Sequence, residues 1–245
     1  MNRIPMNRLS CSIAMMLISL LPLCAQTVAE VSPPVGNRIA WFVQTAIPDG
    51  MENPVKVMTG RKIELITLSN RLASGPVNIP PDGVIRLVRE IPDPTDPVKT
   101  SYLNLAEATI PETMNQALIL LVPAAADPPS SRMFHTKAIG LSDFKGGDSL
   151  YLNLTHLNLM VEIGEDKIPL KPGNMRIRHD RAAAAADVPF RYSYHDPAQE
   201  KWRVLSASVT IMSPTRREIV VFGVDQKNVR VKCNHITFPV RNPEP

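Results

Sequence analysis

The sequence predicts an all-β protein: two tandem β-sandwich units of immunoglobulin-like type, with few or no helices after an N-terminal signal peptide. Three observations carry this expectation. Proline is abundant, 24 of 245 residues, about twice its usual share of ~5%, which leaves little room for long helices. Beyond residue 37, short runs alternate apolar with polar side chains, the period of a half-buried strand. These runs recur about every ten residues and are separated by Pro, Gly and Asp clusters, as sandwich strands are.

Residues 39–43, Ile-Ala-Trp-Phe-Val, open the series. In 62–68, Ile63 and Leu65 stand against Lys62 and Glu64, an apolar face against a charged one. The run 84–89 follows Pro80-Pro81-Asp82-Gly83, whose Pro and Gly preset a chain reversal. Residues 118–122 are continuously apolar and too short for a helix, which predicts a strand buried on both faces. In the second half, Leu150, Leu152 and Leu154 alternate with Tyr151, Asn153 and Thr155. Leu159, Val161 and Ile163 repeat the pattern before a hairpin loop that opens at Gly164. Met175 and Ile177 are expected to face in and Arg176 and Arg178 out, and residues 202–211 and 218–224 complete the strands. The five alanines 182–186 are too few to hold a helix and read as a loop.

Residues 123–131, small side chains with three prolines, read as a semi-stiff linker with little to bury. The expected division is therefore a signal peptide over 1–29, a first sandwich over 38–123 and a second over 132–241. The halves look duplicated. Residues 65–70, 77–83 and 84–86 parallel 152–156, 167–173 and 175–177, and 108–111 with 118–121 parallel 209–212 with 219–222. Each half is expected to carry its own core.

The N-terminus reads as an export signal. Arg3 and Arg8 are the only charges before Glu30, and the mostly apolar stretch 9–23 follows, a basic n-region and a short h-region. The stretch is shorter than the ~20 residues a membrane span needs. Small residues place cleavage after Ala25 or Ala29. Removing 1–29 takes two arginines and no acid, so 25 basic and 23 acidic side chains remain and the net charge is +2. Bulk charge thus gives no reason to expect a polyanionic partner, and an aromatic share of 5% is thin for a base-stacking nucleic-acid surface. Cys11 and Cys24 lie in the leader, so Cys233 stands alone and no internal disulfide forms. Cys24 follows Pro22 and Leu23 rather than the small residues that precede a lipidated cysteine. Cys233 shares a strand face with Val229 and Val231 and is expected to be a buried, inert thiol.

The segment Leu150-Tyr151-Leu152-Asn153-Leu154-Thr155, with Val161-Glu162-Ile163-Gly164, Leu170-Lys171-Pro172-Gly173, Trp202-Arg203-Val204 and Ile219-Val220-Val221-Phe222, resembles exported proteins of verrucomicrobial-type bacteria. The likeness covers about residues 132–225 and rests on strand rhythm and turn residues. It implies export and a β-fold and carries no site residue.

The chemistry-bearing residues are sparse. There is no Gly-x-Ser-x-Gly elbow, Walker-type loop or Cys-x-x-Cys. Gly146-Gly147 beside Asp148 reads as a turn rather than a phosphate cradle. The five histidines, at 135, 156, 179, 195 and 235, are too far apart to ligate a metal from one element. Asp93-Pro94-Thr95-Asp96-Pro97 could offer calcium two carboxylates but reads as a rigid turn, and Asn153-Leu154-Thr155 is a glycosylation sequon inside a strand. His179-Asp180 and His195-Asp196 are adjacent pairs, and neighbours in a strand point to opposite faces, which argues against either as a dyad. No histidine is therefore expected to bond a carboxylate inside a concave pocket.

No cofactor, metal or catalytic residue is expected. Arg176, Arg178, Arg230 and Lys232, with Arg181, Arg216 and Arg217, fall at outward strand positions and make a candidate anion-binding face. The functional expectation is an exported, non-enzymatic structural or binding protein of the envelope, in the periplasm or outside the cell. Its expected partners are an envelope protein or the head groups of an anionic glycan or lipid, and not nucleic acid. The alternative is a small secreted hydrolase using a His/Asp pair on sandwich loops. Mass spectrometry of the exported protein should show loss of 25 to 29 N-terminal residues, and an intact Met1 in the exported fraction would refute the signal peptide.

Overall fold

The computed structural model describes residues 38–240 except 97, 125–131, 181–183 and 226–229. The expected signal peptide, its cleavage sites, Cys24, Arg181, Val229 and most of the 123–131 segment lie outside the described residues. The described residues form sixteen strands, of which the first half holds β1 (Ile39–Gln44), β2 (Val55–Thr59), β3 (Lys62–Ile66), β4 (Val77–Asn78), β5 (Val84–Pro92), β6 (Thr100–Thr109), β7 (Gln116–Pro123) and β8 (Phe134–Gly140). The second half follows as β9 (Ser149–Asn153), β10 (Leu159–Ile163), β11 (Asp166–Leu170), β12 (Met175–Arg178), β13 (Ala186–Asp196), β14 (Lys201–Met212), β15 (Arg216–Asp225) and β16 (Arg230–Pro239).

The strands make four sheets, ordered β4-β1-β7-β8 (sheet A), β3-β2-β5-β6 (sheet B), β12-β9-β15-β16 (sheet C) and β11-β10-β13-β14 (sheet D). Sheets A and B form the first sandwich, and C and D the second. Adding eight to each strand number of the first reproduces the second, so the tandem duplication extends to topology. Both halves place a parallel pair, β1 with β7 and β9 with β15, at the centre of a sheet. Both also carry a one-residue bulge at the matching point of the long hairpin, with Leu105 extra in β6 and Leu205 extra in β14. The architecture is sandwich-like as expected, while the strand order differs from the ABED and CFG sheets of an immunoglobulin constant domain.

The division between the units falls elsewhere than the proline content suggests. β8 pairs with β7 from Ala117↔Gly140 to Pro123↔Phe134, so 123–131 joins two strands of one sheet and the units meet at 141–148. The sequence alignment of the halves is right in its later part, where β6 and β7 match β14 and β15. In its earlier part it is displaced: residues 65–66 end β3, whose counterpart is β11, not β9. Pro/Gly turns punctuate both stretches and supply the same local texture at the wrong register.

Three cores explain the strand sequences. Ala40, Phe42, Ala117, Ile119 and Leu121 of sheet A meet Val55, Val57, Ile85 and Leu87 of sheet B. Tyr151, Val220 and Phe222 of sheet C meet Leu159, Val161, Ile163 and Tyr192 of sheet D. The alternate residues of the same inner strands, Ile39, Trp41, Val43, Leu118 and Leu120, pack on Leu150, Leu152, Ile219, Val221, Ile236 and Phe238. Sheets A and C therefore share a middle core, and the four central strands are buried on both faces, as parallel strands usually are. At its rim the rings of Trp41 and Phe238 lie 5.5 Å apart. The buried Arg217 guanidinium sits 5.2 Å over Phe238 and donates to the Phe144 carbonyl at 2.5 Å, an attraction worth more once desolvated.

Two glycines are required by close approach. A Cβ on Gly83 would meet the Ile110 carbonyl oxygen at 2.4 Å, in a turn where φ is +70°. One on Gly146 would meet the Pro214 oxygen at 2.1 Å, so Gly146-Gly147 seats the inter-sandwich connection on the β14–β15 turn. One face assignment is inverted: Ile63 and Leu65 are exposed. Glu64 opposes Val57 and Ile66 opposes Val55, and directly opposed residues share a face, so register with the core-facing valines turns Ile63 and Leu65 outward.

The ends of β1 and β9 show how the copies diverged. Gln44 and Asn153 oppose Leu121 and Phe222 and both are fully buried. Asn153 Nδ2 donates to the Leu157 and Leu170 carbonyls at 2.8 and 3.0 Å, and its Oδ1 accepts from the Thr155 N–H and hydroxyl. Neither polar atom of the Gln44 carboxamide has a hydrogen-bond partner among the described residues. Asn153→Leu should cost about 3 kcal/mol by stranding two carbonyls and an N–H. Gln44→Met should leave stability unchanged or raise it, and chemical denaturation of both variants checks the contrast.

Candidate functional site

The outer face of sheet D is the candidate site. β13 and β14 form one long hairpin, turned at 196–200, where Asp196 Oδ1 accepts the Ala198 N–H and Glu200 takes a positive φ of 50°. The segment Lys-Trp-Arg-Val-Leu-Ser-Ala-Ser-Val-Thr-Ile-Met of β14 is rich in β-branched residues, which suits a strand. Its register fixes the faces. Ser206, Ser208 and Thr210 oppose Tyr192, Phe190 and Val188, the residues that face the second-unit core. Trp202, Val204, Val209 and Ile211 therefore point to solvent, 49%, 57%, 57% and 51% exposed. The Leu205 bulge makes this possible by shifting the outward residues from even to odd numbers.

The counterpart strand β6 has the opposite polarity past its bulge. Its Ala106 and Ala108 are buried opposite Leu87 and Ile85, and its outward Glu107 bonds Arg86 at 2.7 Å. Beside the β14 stripe, the His195 ring stands edge-on to Trp202 at 5.5 Å, and Arg203 bonds Asp196 at 2.8 Å. A shallow open groove of about 490 Å³ lies next to it, lined by Glu162, Gly164, Pro189, Phe190, Arg191, Ala207 and Ser208. Glu162 is shared there by Lys167 at 3.5 Å and Arg191 at 4.0 Å. The arrangement can take up an apolar or mixed surface. The stripe is not legible in the sequence because Ser and Thr alternate with Ala, Val and Ile at the right period, while the sign of the alternation is set by pairing with β13.

The expected basic face is not assembled. Arg176 and Arg178 lie on β12 and Arg230 and Lys232 on β16, the opposite edges of sheet C. Arg176 and Arg178 oppose Tyr151 and Ser149 on the side toward sheet D. Lys232 has the parity of Ile236 and Phe238, which face sheet A, and so does Arg230. Arg178 is moreover engaged by Asp166 at 2.7 Å and Asp180 at 3.6 Å. Alternation separates the two faces of a strand but does not say which edge the strand occupies or whether a face meets another sheet.

The histidines divide. His179 lies just past the end of β12, and the His195 ring packs on Trp202. His179 Nδ1 lies 2.9 Å from Asp148 Oδ2, a buried carboxylate that also accepts the Lys145 and Asp180 N–H groups. The expectation was that no histidine bonds a carboxylate inside a concave pocket; His179 does meet a carboxylate, because β9 and β12 pair and their ends bring together residues 31 apart in sequence. The groove beside β14 is lined by other residues. His235 rests against Phe190 and Tyr192, at 6.2 and 5.9 Å, and this desolvation holds its imidazole below the usual range. Burial pushes the Cys233 thiol up, which suppresses the reactive thiolate, and pushes the Tyr151 phenol up to about 12.

Two other sequence motifs have structural roles. Asn153 of the sequon is buried in the hydrogen bonds described above, which leaves its amide inaccessible to a glycan. Asp93 Oδ1 accepts the Thr95 N–H, the Thr95 hydroxyl and the Asp96 N–H, closing a turn, and the Thr95 hydroxyl chiefly holds its carboxyl below the usual range. No protein-family model matches the chain, and no curated protein is significantly similar to it.

A histidine whose folded pKa is depressed is neutral in the native state and takes up a proton on unfolding. Its effect is absent above the unfolded value of about 6.5 and stability falls as pH drops through that value. Melting temperature should therefore decline between about pH 7.5 and 5.5, and His235→Gln should flatten that decline, measured by thermal denaturation across the range.

Proposed function

We propose that this is an exported, non-enzymatic, envelope-associated structural or binding module that acts through the outer face of sheet D. The observation that carries the reading is the stripe of Trp202, Val204, Val209 and Ile211, each about half-exposed on one strand. A contiguous apolar strip in water is unfavourable, and such patches mark surfaces that other macromolecules cover. The adjacent groove, lined in part by Arg191 and Glu162, adds polar contacts beside the stripe, as interfaces have. Export draws support from the basic, then apolar, N-terminal segment and from the likeness of residues 132–225 to exported verrucomicrobial proteins. An envelope protein is the favoured partner class, because the stripe is apolar and the four basic residues that would meet anionic head groups lie apart. None of the described residues forms a helix long and apolar enough to cross a membrane.

A second reading, a small secreted hydrolase, draws on the contact of His179 with the buried Asp148, since a buried carboxylate can orient an imidazole. The two readings separate by variant. The purified protein should co-sediment with envelope fractions, and Trp202→Glu with Val204→Glu should weaken that association at least tenfold, about 1.4 kcal/mol, with an unchanged circular dichroism spectrum. Association indifferent to the double variant would refute the proposal. Ester or glycoside hydrolysis that His179→Ala abolishes would establish the hydrolase in its place.

A further inference from the structure

We infer that β14 is a self-association edge, at which two copies of this chain pair their β14 strands antiparallel to join two D sheets into one. The inference rests on the binding reading of sheet D and names its partner.

The first observation is the state of the same edge in the two halves. In the first sandwich the β6 edge is covered by its own chain: the Met133 N–H donates to the Leu105 carbonyl at the bulge, at 2.8 Å, and the Thr136 hydroxyl donates to the Glu107 carbonyl at 2.6 Å. The β16 edge of sheet C is likewise covered by the first unit, where the Thr237 N–H donates to the Arg71 carbonyl at 3.0 Å and Asn234 Nδ2 donates to the Asn70 carbonyl at 2.9 Å. β14 ends sheet D, and no strand among the described residues pairs with its outer edge. Arg216 reaches the Ile211 carbonyl at one end only. A twelve-residue strand of about 40 Å thus keeps a row of backbone groups available to another strand.

The second observation is the distribution of charge, which selects the occupant. Residues 204–212, Val-Leu-Ser-Ala-Ser-Val-Thr-Ile-Met, contain no charge, proline or glycine, and so lack the residues that keep edges apart. The charges of β14, Lys201 and Arg203, lie together at its start. Parallel pairing of two copies would set these cations side by side. Antiparallel pairing about a two-fold axis near Ala207–Val209 sends them to opposite ends and lays the uncharged segments against each other. Val209 and Ile211 of one copy then meet the same stripe of the other on the outer face, where cross-strand apolar pairs stabilise a sheet. The contact is isologous, so it closes at two copies.

Sedimentation velocity on the purified full-length protein tests this. A dimer is expected at about 10 μM, and Val209→Lys, which places two cations near the axis, should raise the dissociation constant at least tenfold. Leu65→Lys, an equally exposed apolar site on β3, should leave the dimer intact. Amide hydrogen exchange in residues 202–212 should slow as concentration rises, which reads the pairing without any variant. A protein that stays monomeric to about 100 μM, or a dimer indifferent to Val209→Lys with concentration-independent exchange at β14, would overturn the inference. A monomer that still co-sediments with envelope through Trp202 and Val204 would refute self-pairing alone, whereas a β14 dimer that ignores the envelope would uphold self-pairing and refute the envelope role.

Discussion

The middle core between sheets A and C is the constraint on which the molecule depends. Each sandwich could close on its own core, but the face of β1, β7, β9 and β15 that a single sandwich would leave to water is mostly apolar, with Arg217 buried at its rim. Trp41, Leu118 and Leu120 on one side and Leu150, Ile219 and Phe238 on the other can leave solvent only by meeting. The duplicated units are consequently stacked face to face rather than strung on a linker. At about 25 cal/mol per Å² of apolar surface, opening this contact would be among the most expensive motions available to the fold.

Burying both inner sheets decides what remains for function. Sheets A and C have no free face, so recognition falls to the outer faces of B and D and to the exposed edges. A polar residue on the inner strands is costly without a partner; Asn153 is satisfied by four hydrogen bonds, whereas Gln44, at the same place, has none among the described residues. The same division of labour accounts for Asp148, whose buried carboxylate gathers two N–H groups and His179 where the chain passes from one sandwich to the next.

Duplication makes the edges comparable, and they have diverged. β6 and β14 share pairing and bulge, yet past the bulge β6 is polar outside and apolar inside, with Ala106 and Ala108 in and Glu107 out, whereas β14 sets Ser206 and Ser208 in and Ala207 and Val209 out. Of the inward hydroxyls of β14, only Thr210 lies past β10, since β13 pairs with β10 over Phe190–Tyr194 while Ser206 and Ser208 oppose Tyr192 and Phe190.

The sequence by itself determined the strand class, the turn positions, the doubly buried run at 118–122 and the fact of duplication, because period and turn chemistry are local properties. Met175 and Ile177, which pack on the middle core, were legible for the same reason, while Arg176 and Arg178, read as outward, lie on the side toward sheet D. Tertiary structure decided what depends on partners. Alternation states that two faces differ but not which one meets the core, so Ile63, Leu65 and the β14 stripe turned outward through the register of β2 and β13. Strand order, likewise invisible in the chain, placed Arg176 and Arg178 on one edge of sheet C and Arg230 and Lys232 on the other, and it brought His179 to Asp148 across 31 residues. Pairing is a long-range property, and long-range contacts are what a one-dimensional pattern does not encode.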